Sequence, residues 1–271
     1  MPRIAVLQMT SGFDPEANLH VIENGVREAA SEGAAMLFAP EMAVLLDRKR
    51  ERAEAHIRGE AARGWAKRLG NLAAEYSVDL VVGSPYSGEG ERNRNRLWYA
   101  RADGGPARSY DKLHMFDVDL ATGESWRESN AYEAGDKVAV VDDTPVGRLG
   151  LSICYDVRFP ALFDALGRNK CDTIAIPAAF TVPTGRAHWH TLVKARAIEA
   201  SAFVVAAAQV GRHEDGRETY GHSLVIDPWG DVLLDMGGED AGLGFAEIDL
   251  DRIAEVRAQI PSLANRRAIP D

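Results

Sequence analysis

Short apolar runs alternate along the chain with longer amphipathic ones, which is the pattern of an α/β protein. Strands are expected over residues 4–8, 35–39, 80–83, 97–100, 138–141, 149–153, 173–176, 203–207, 223–226 and 244–248, and helices over 18–32, 59–76, 160–168 and 188–199. In the first helix Leu19, Ile22, Val26, Ala29 and Ala30 recur at helical spacing, and Gly33 stands where a C-cap is wanted. Trp65, Leu69, Leu72, Ala73 and Tyr76 make a comparable stripe in the second. A strand–helix–strand unit ending in "MLFAPEM" is echoed later by one ending in "TIAIPAAF", each an apolar strand with proline at its exit. That echo points to an internal structural duplication without a detectable sequence repeat. The segments 84–95 and 210–219 read as loops, and 112–136 as a long irregular span of the kind that carries function.

The 271 residues, 46% of them hydrophobic, suffice for one domain over 1–271 with a sizeable core. A formal net charge of −10 argues against a nucleic-acid binder, since it opposes a phosphate backbone. The N-terminal "MPRIAVLQMT" reads as a strand rather than a signal peptide, and no run approaches the roughly 20 apolar residues that span a bilayer. The expectation is a cytoplasmic protein with no membrane partner and with reduced thiols at Cys154 and Cys171.

Candidate chemistry centres on "RLGLSICYDVRFPAL", where a buried-type strand delivers Cys154 to a bend and Pro160 suits the first turn of a following helix. Backbone N–H groups and a helix N-terminus at such a bend favour the thiolate; the bland alternative is a small buried hydrophobe. Cys171 lacks that context and reads as structural. Glu41, after Pro40 and between apolar neighbours, would be desolvated and its pKa raised toward that of a general base, although most glutamates are simply solvated. Lys112 in "SYDKLHMFD" and Glu128 in "WRESNAYEAGD" are unremarkable alone; near Cys154 a lysine would stabilise both thiolate and oxyanion. None of the seven histidines has metal-ligand spacing, and His188 and His190, opening a helix two residues apart, do not share a face. No metal is expected. A metallohydrolase, a Cys154–Cys171 redox sensor and a non-catalytic scaffold remain the rival readings.

Together these segments resemble the nitrilase superfamily of carbon–nitrogen hydrolases, whose signature is a Glu–Lys–Cys triad. Pro40–Glu41, Lys112 in "KLHMFD", Glu128–Ser129–Asn130, and Cys154 between Gly150 and Pro160 fall in the family's order. "PAAFTVPTGRAHWHTLVKARAIE", "FVVAAAQVGRHEDGRETYGHS" and "VIDPWG" bring the resemblance to the Nit branch, whose amidases act on deaminated glutathione and on ω-amides of 2-oxo dicarboxylates. One departure is Ala161, where the family usually has glutamate after "R-F-P". The resemblance implies a four-layer α-β-β-α sandwich, a thioester route without cofactor, a small amide substrate and a homo-oligomer. It makes Glu41, Lys112 and Cys154 catalytic, with Glu128 in support. A backbone N–H near Tyr155 would join Lys112 at the oxyanion. Arg158, Thr184 and His188 are expected to hold an anionic substrate and Phe180 to wall the cavity, unless Arg158 merely pairs with Asp156.

Overall fold

In the computed structural model, all residues are described except 88, 89, 91, 122, 124 and 269–271. In chain order the strands are β1 (Arg3–Gln8), β2 (Met36–Phe38), β3 (Asp79–Tyr86), β4 (Arg94–Ala100), β5 (Arg108–Asp111), β6 (Asp117–Asp119), β7 (Ser125–Arg127) and β8 (Ala139–Thr144). They continue with β9 (Gly147–Leu151), β10 (Thr173–Ala175), β11 (Phe203–Ala206), β12 (Val210–Arg212), β13 (Glu218–Tyr220), β14 (Leu224–Ile226), β15 (Val232–Asp235) and β16 (Gly242–Glu247). The helices are α1 (Pro15–Ser31), α2 (Arg50–Ile57), α3 (Trp65–Tyr76), α4 (Pro160–Arg168), α5 (Val182–Ala200) and α6 (Leu250–Gln259).

Twelve strands form two six-stranded sheets, ordered β16-β1-β2-β3-β4-β5 and β8-β9-β10-β11-β14-β15. Read in those orders, both sheets pair antiparallel, parallel, parallel, antiparallel, antiparallel. The duplication suggested by two proline-terminated strands is therefore a duplication of sheet topology. Alternation decides the layering. Ile4, Val6, Met36, Phe38 and Val81 pack with Leu149, Leu151, Ala175 and Val205 between the sheets. Their neighbours Ala5, Leu7, Leu37, Leu80 and Val82 pack instead against Leu19, Ile22, Val26, Trp65 and Leu69 of α1 and α3. On the outer face of the second sheet lie Phe163 and Leu166 of α4 with Trp189, Val193 and Ala197 of α5. The result is the α-β-β-α sandwich. No described helix is long and apolar enough to cross a membrane.

Several elements differ from expectation for local reasons. Helix α5 starts six residues before 188, because Pro183 fits a first helical turn and Gly185 is needed there. A Cβ at Gly185 would lie 2.3 Å from the Tyr220 ring. His188 and His190 therefore sit inside the helix rather than opening it. Helix α2 buries only Ala53 and Ile57, and α6 only Ile253 and Val256, so neither shows a full apolar stripe. The expected loops at 112–136 and 210–219 contain the β6–β7 and β12–β13 hairpins, which are too short and too polar to read as strands.

Candidate active site

Four chain segments converge where strands of the two sheets end. Beyond β2, Glu41 is 5% exposed and its backbone sits against Gly83 of β3. The Gly83 N–H donates to the Pro40 carbonyl at 3.1 Å, and a Cβ on Gly83 would meet that oxygen at 2.4 Å and the Glu41 Cα at 2.7 Å. Only glycine lets the chain pass so close. Gly83→Ala is therefore expected to displace Glu41 and lower kcat by about a hundredfold, the usual result of misplacing a reacting group by an ångström or so. Steady-state kinetics on folded variant protein measures this, and an unchanged kcat would contradict it.

Beyond β9 the chain turns sharply into a 3-10 turn, Cys154–Arg158, and Cys154 adopts φ +46°, an uncommon conformation for a residue with a Cβ. Buried Asp156 holds this bend. Its carboxylate accepts from the Ile153 N–H (2.9 Å), the Tyr110 hydroxyl (2.7 Å) and the His114 N–H (3.1 Å), and contacts His114 Nδ1 at 2.7 Å. Arg158 does not pair with Asp156, which corrects that alternative: Tyr110 and His114 of the "SYDKLHMFD" segment fill the carboxylate's shell instead.

Lys112, just past β5, is 2% exposed. Its Nζ donates to Glu41 Oε1 at 2.9 Å and to Glu128 Oε2 at 2.8 Å. Asn95 Nδ2 bridges the same two carboxylates, 2.8 Å from Glu41 Oε1 and 2.9 Å from Glu128 Oε1. Glu128 also accepts from the Phe116 N–H at 2.7 Å, so it serves as a fixed counter-ion held by the β6–β7 hairpin. Glu41 Oε2 accepts from the Ala179 N–H at 2.9 Å, and Glu41 and Cys154 line the same cavity.

These contacts set the protonation states, two of which differ from the sequence expectation. Burial pushes Glu41 upward, but Lys112 and the hydrogen bonds from Cys154, Lys112 and Asn95 outweigh it and hold the carboxyl below its ordinary range. Burial, joined by the Glu41 charge, pushes the Cys154 thiol well above its ordinary value despite Lys112. The elbow therefore presents a neutral thiol to an ionised carboxylate, rather than a resting thiolate beside a raised glutamic acid. Lys112 loses charge stability to burial but regains more from Glu128 and Glu41, so its pKa is raised.

The cluster opens into a cavity of about 190 Å³ lined by Glu41, Lys112, Glu128 and Cys154, and by Tyr155, Phe180 and Thr184. Arg158 and His188 are not among its lining residues. They pair outside it at 3.3 Å, with the Arg158 guanidinium 5.3 Å from the Phe180 ring centre. Ala161 is likewise exposed on α4, away from the cavity lining. Cavity residues that sequence reading missed include Arg48, Trp126, Tyr132 and Arg217. They come from two hairpins and a strand exit, and nothing in the local sequence separates them from surface positions. The histidine spacing also concealed one grouping: His190, His222 and Asp235 bring one ligand atom each within 4.8 Å of the others, outside the cavity lining, with Asp235 contacting both imidazoles. Both cysteines are free thiols.

The carbon–nitrogen hydrolase family model matches residues 3–258. A protein of Synechocystis sp. named deaminated glutathione amidase is 40% identical over 266 residues, covering 97% of each chain. The crystal structure of the Caenorhabditis elegans NitFhit protein superposes with a TM-score of 0.88 at 36% identity, over 98% of this chain and 65% of that one. An amidase from Nesterenkonia sp. AN1, seen with acrylamide added at its active-site cysteine, superposes with a TM-score of 0.80 at 25% identity, covering 96% of this chain and 98% of that one. By sequence and by fold, the chain belongs to the carbon–nitrogen hydrolase family.

Proposed function

We propose that the protein is a cysteine amidase acting on deaminated glutathione, with Cys154 as nucleophile, Glu41 as general base and acid, and Lys112 as oxyanion donor. The observation that carries this reading is the convergence of Glu41, Lys112 and Cys154 on one cavity, with Lys112 Nζ 2.9 Å from Glu41 Oε1. Glu41 takes the thiol proton as sulfur bonds to the amide carbon, and the carbonyl electron pair moves to oxygen. Two of the three ammonium hydrogens of Lys112 are engaged by Glu41 and Glu128. The third, with the Tyr155 backbone N–H, stabilises the oxyanion. As the intermediate collapses the C–N bond breaks, and Glu41 passes its proton to the departing amine. A water then loses a proton to Glu41 as it attacks the thioester. The C–S bond breaks, the thiol regains that proton, and the acid leaves.

Relatives that share up to 40% identity and carry the name deaminated glutathione amidase support the choice of substrate. Thr184 and Phe180 line the cavity beside Cys154 and are proposed to contact the acyl part. The Arg158–His188 pair, set behind Phe180, acts in this reading through that wall rather than by direct contact. A homo-oligomer located in the cytoplasm completes the reading; exposed Ile198, Trp229 and Ile260 border one groove that would suit a second subunit.

The wild-type protein is expected to release acid from deaminated glutathione with kcat/KM at least ~10-fold above that for 2-oxoglutaramate or an N-carbamoyl amide, the discrimination that an added hydrogen-bonded group supplies. A panel assay of the three compounds measures it. Preference for 2-oxoglutaramate would make the protein an ω-amidase instead, and no turnover of any of them would favour the scaffold.

A further inference from the structure

Two donors that line the cavity are left unused by the protein. Trp126 Nε1 and Arg217 Nε are buried and find no hydrogen-bond partner among the described residues, although both side chains line the cavity. Buried donors without partners are uncommon in folded proteins, and two of them on residues that line one cavity mark where an acceptor belongs. The two belong to different hairpins, Trp126 to β7 and Arg217 to the turn before β13.

Their surroundings are cationic. The Arg217 guanidinium lies 5.0 Å from the Trp126 ring centre and that of Arg48, another lining residue, lies 4.5 Å from it. Asp215, with a side chain only 1% exposed, ties the two arginines' segments together. It accepts from the Arg48 backbone N–H at 2.9 Å and the Arg217 backbone N–H at 3.0 Å, and lies 3.3 Å from Arg217 Nη2. One carboxylate against two guanidiniums leaves a net positive charge, and Arg217 Nε has no acceptor among the described residues although Nη2 on the same edge faces Asp215. One guanidinium N–H and one indole N–H, each donating to one oxygen, can satisfy a carboxylate.

Position says which carboxylate. Glu41 and Lys112 are almost fully buried, whereas Arg48 is exposed and Trp126 half-buried, so the arginines mark the open end. In a thioester mechanism the acyl part stays bound to sulfur while the amine leaves and water enters. The amine portion must therefore face the opening.

We propose that Arg217 and Trp126, with Arg48 above the same ring, form a subsite for the far carboxylate of the substrate's amine portion, so that the natural substrate is an amide whose leaving group ends in a carboxylate. This rests on the amidase reading above, and the glycine end of deaminated glutathione meets it. Arg217 and Trp126 are here binding residues, without a part in the bond-breaking steps.

The test compares kcat/KM for deaminated glutathione and for its C-terminal glycinamide, which differ only in that charge. Wild-type protein is expected to prefer the acid by about tenfold or more, the scale of one charge-assisted hydrogen bond. Arg217→Gln is expected to erase most of that preference, mainly through KM, and Trp126→Phe, which keeps a ring and removes only the N–H, to reduce it several-fold. A purely structural role would slow both compounds alike and leave their ratio intact; that outcome in both variants overturns the subsite. So does a wild-type protein that hydrolyses the two equally well. Turnover of neither compound by the wild type would count instead against the amidase reading itself.

Discussion

Glu41→Gln and Cys154→Ala are each expected to lower kcat by about 10⁴-fold, and the double variant to fall no further. The reason lies in the resting protonation states. Cys154 is held as a thiol by burial and by the Glu41 charge, so sulfur has no independent supply of thiolate. Without the Glu41 carboxylate the proton has nowhere to go, and the nucleophile is as good as absent. Without the sulfur, the carboxylate has nothing to activate. Residues that act as one unit give losses that do not add. The loss corresponds to about 5.5 kcal/mol of transition-state stabilisation for either change. Glutamine is close in size and keeps a carbonyl oxygen for the Asn95 and Lys112 donors, so circular dichroism should show the fold retained in Glu41→Gln. Single-turnover rates for the three variants settle the matter. A double variant slower than either single one by a further thousandfold would mean that Glu41 and Cys154 act separately. A Glu41→Gln variant within tenfold of wild type would remove the carboxylate from the mechanism.

How much of this was legible beforehand depends on the range over which each feature is determined. Ten of the twelve strands in the two sheets declare themselves as short apolar runs bounded by turn residues, whereas the edge strands β5, which is polar, and β15, which is largely exposed, do not. The proline-terminated strands β2 and β10 even reveal the duplicated topology, which is a local signal repeated. Helices α2 and α6 stay hidden because two buried positions each do not make a stripe. Within the site, Glu41, Lys112, Glu128 and Cys154 were found from segments whose order resembles a family, and they do converge. Their electrostatics were not legible. Desolvation of Glu41 is a local inference, and it has the right sign for burial alone; the opposing Lys112 arrives from 71 residues away and reverses the outcome. Asn95 and Asp156 were missed for the same reason. Each is an ordinary polar residue in its own segment and becomes a positioning group only through partners on other strands. Arg158 shows the converse: it lies close to Cys154 in sequence, yet it packs against Phe180 and is not among the residues that line the cavity.

Lys112→Met is expected to cost about 3–5 kcal/mol of stability at pH 8, the penalty for leaving buried charge uncompensated. Lys112 is 2% exposed, and its ammonium is the cation shared by Glu41 and Glu128. Methionine fills a similar volume but leaves two carboxylates facing each other across Asn95. The pH dependence distinguishes this from a simple packing loss. In the wild type the Glu41 pKa is depressed, so its contribution is complete above the ordinary carboxylate value of 4.5 and is lost only as pH falls through the still lower folded value. Lys112, with a raised pKa, contributes fully at any pH below its ordinary value of 10.5. Between pH 8 and pH 5 this cluster therefore adds no slope to wild-type stability. In the variant the Lys112 charge is gone and only hydrogen bonds such as those from Asn95 and Cys154 oppose the burial of Glu41, so its pKa is expected to move above the ordinary value and the folded state to take up a proton that the unfolded chain does not. Stability of the variant should then rise as pH is lowered from 8 to 5. Urea unfolding of both proteins at the two pH values tests this directly. The protonated Glu41 that restores the fold is also unable to accept the Cys154 proton, so the same acidification should leave the variant inactive. A Lys112→Met protein that matches the wild-type urea midpoint at pH 8, or that shares its pH trend, would show that the two glutamates do not depend on that single ammonium.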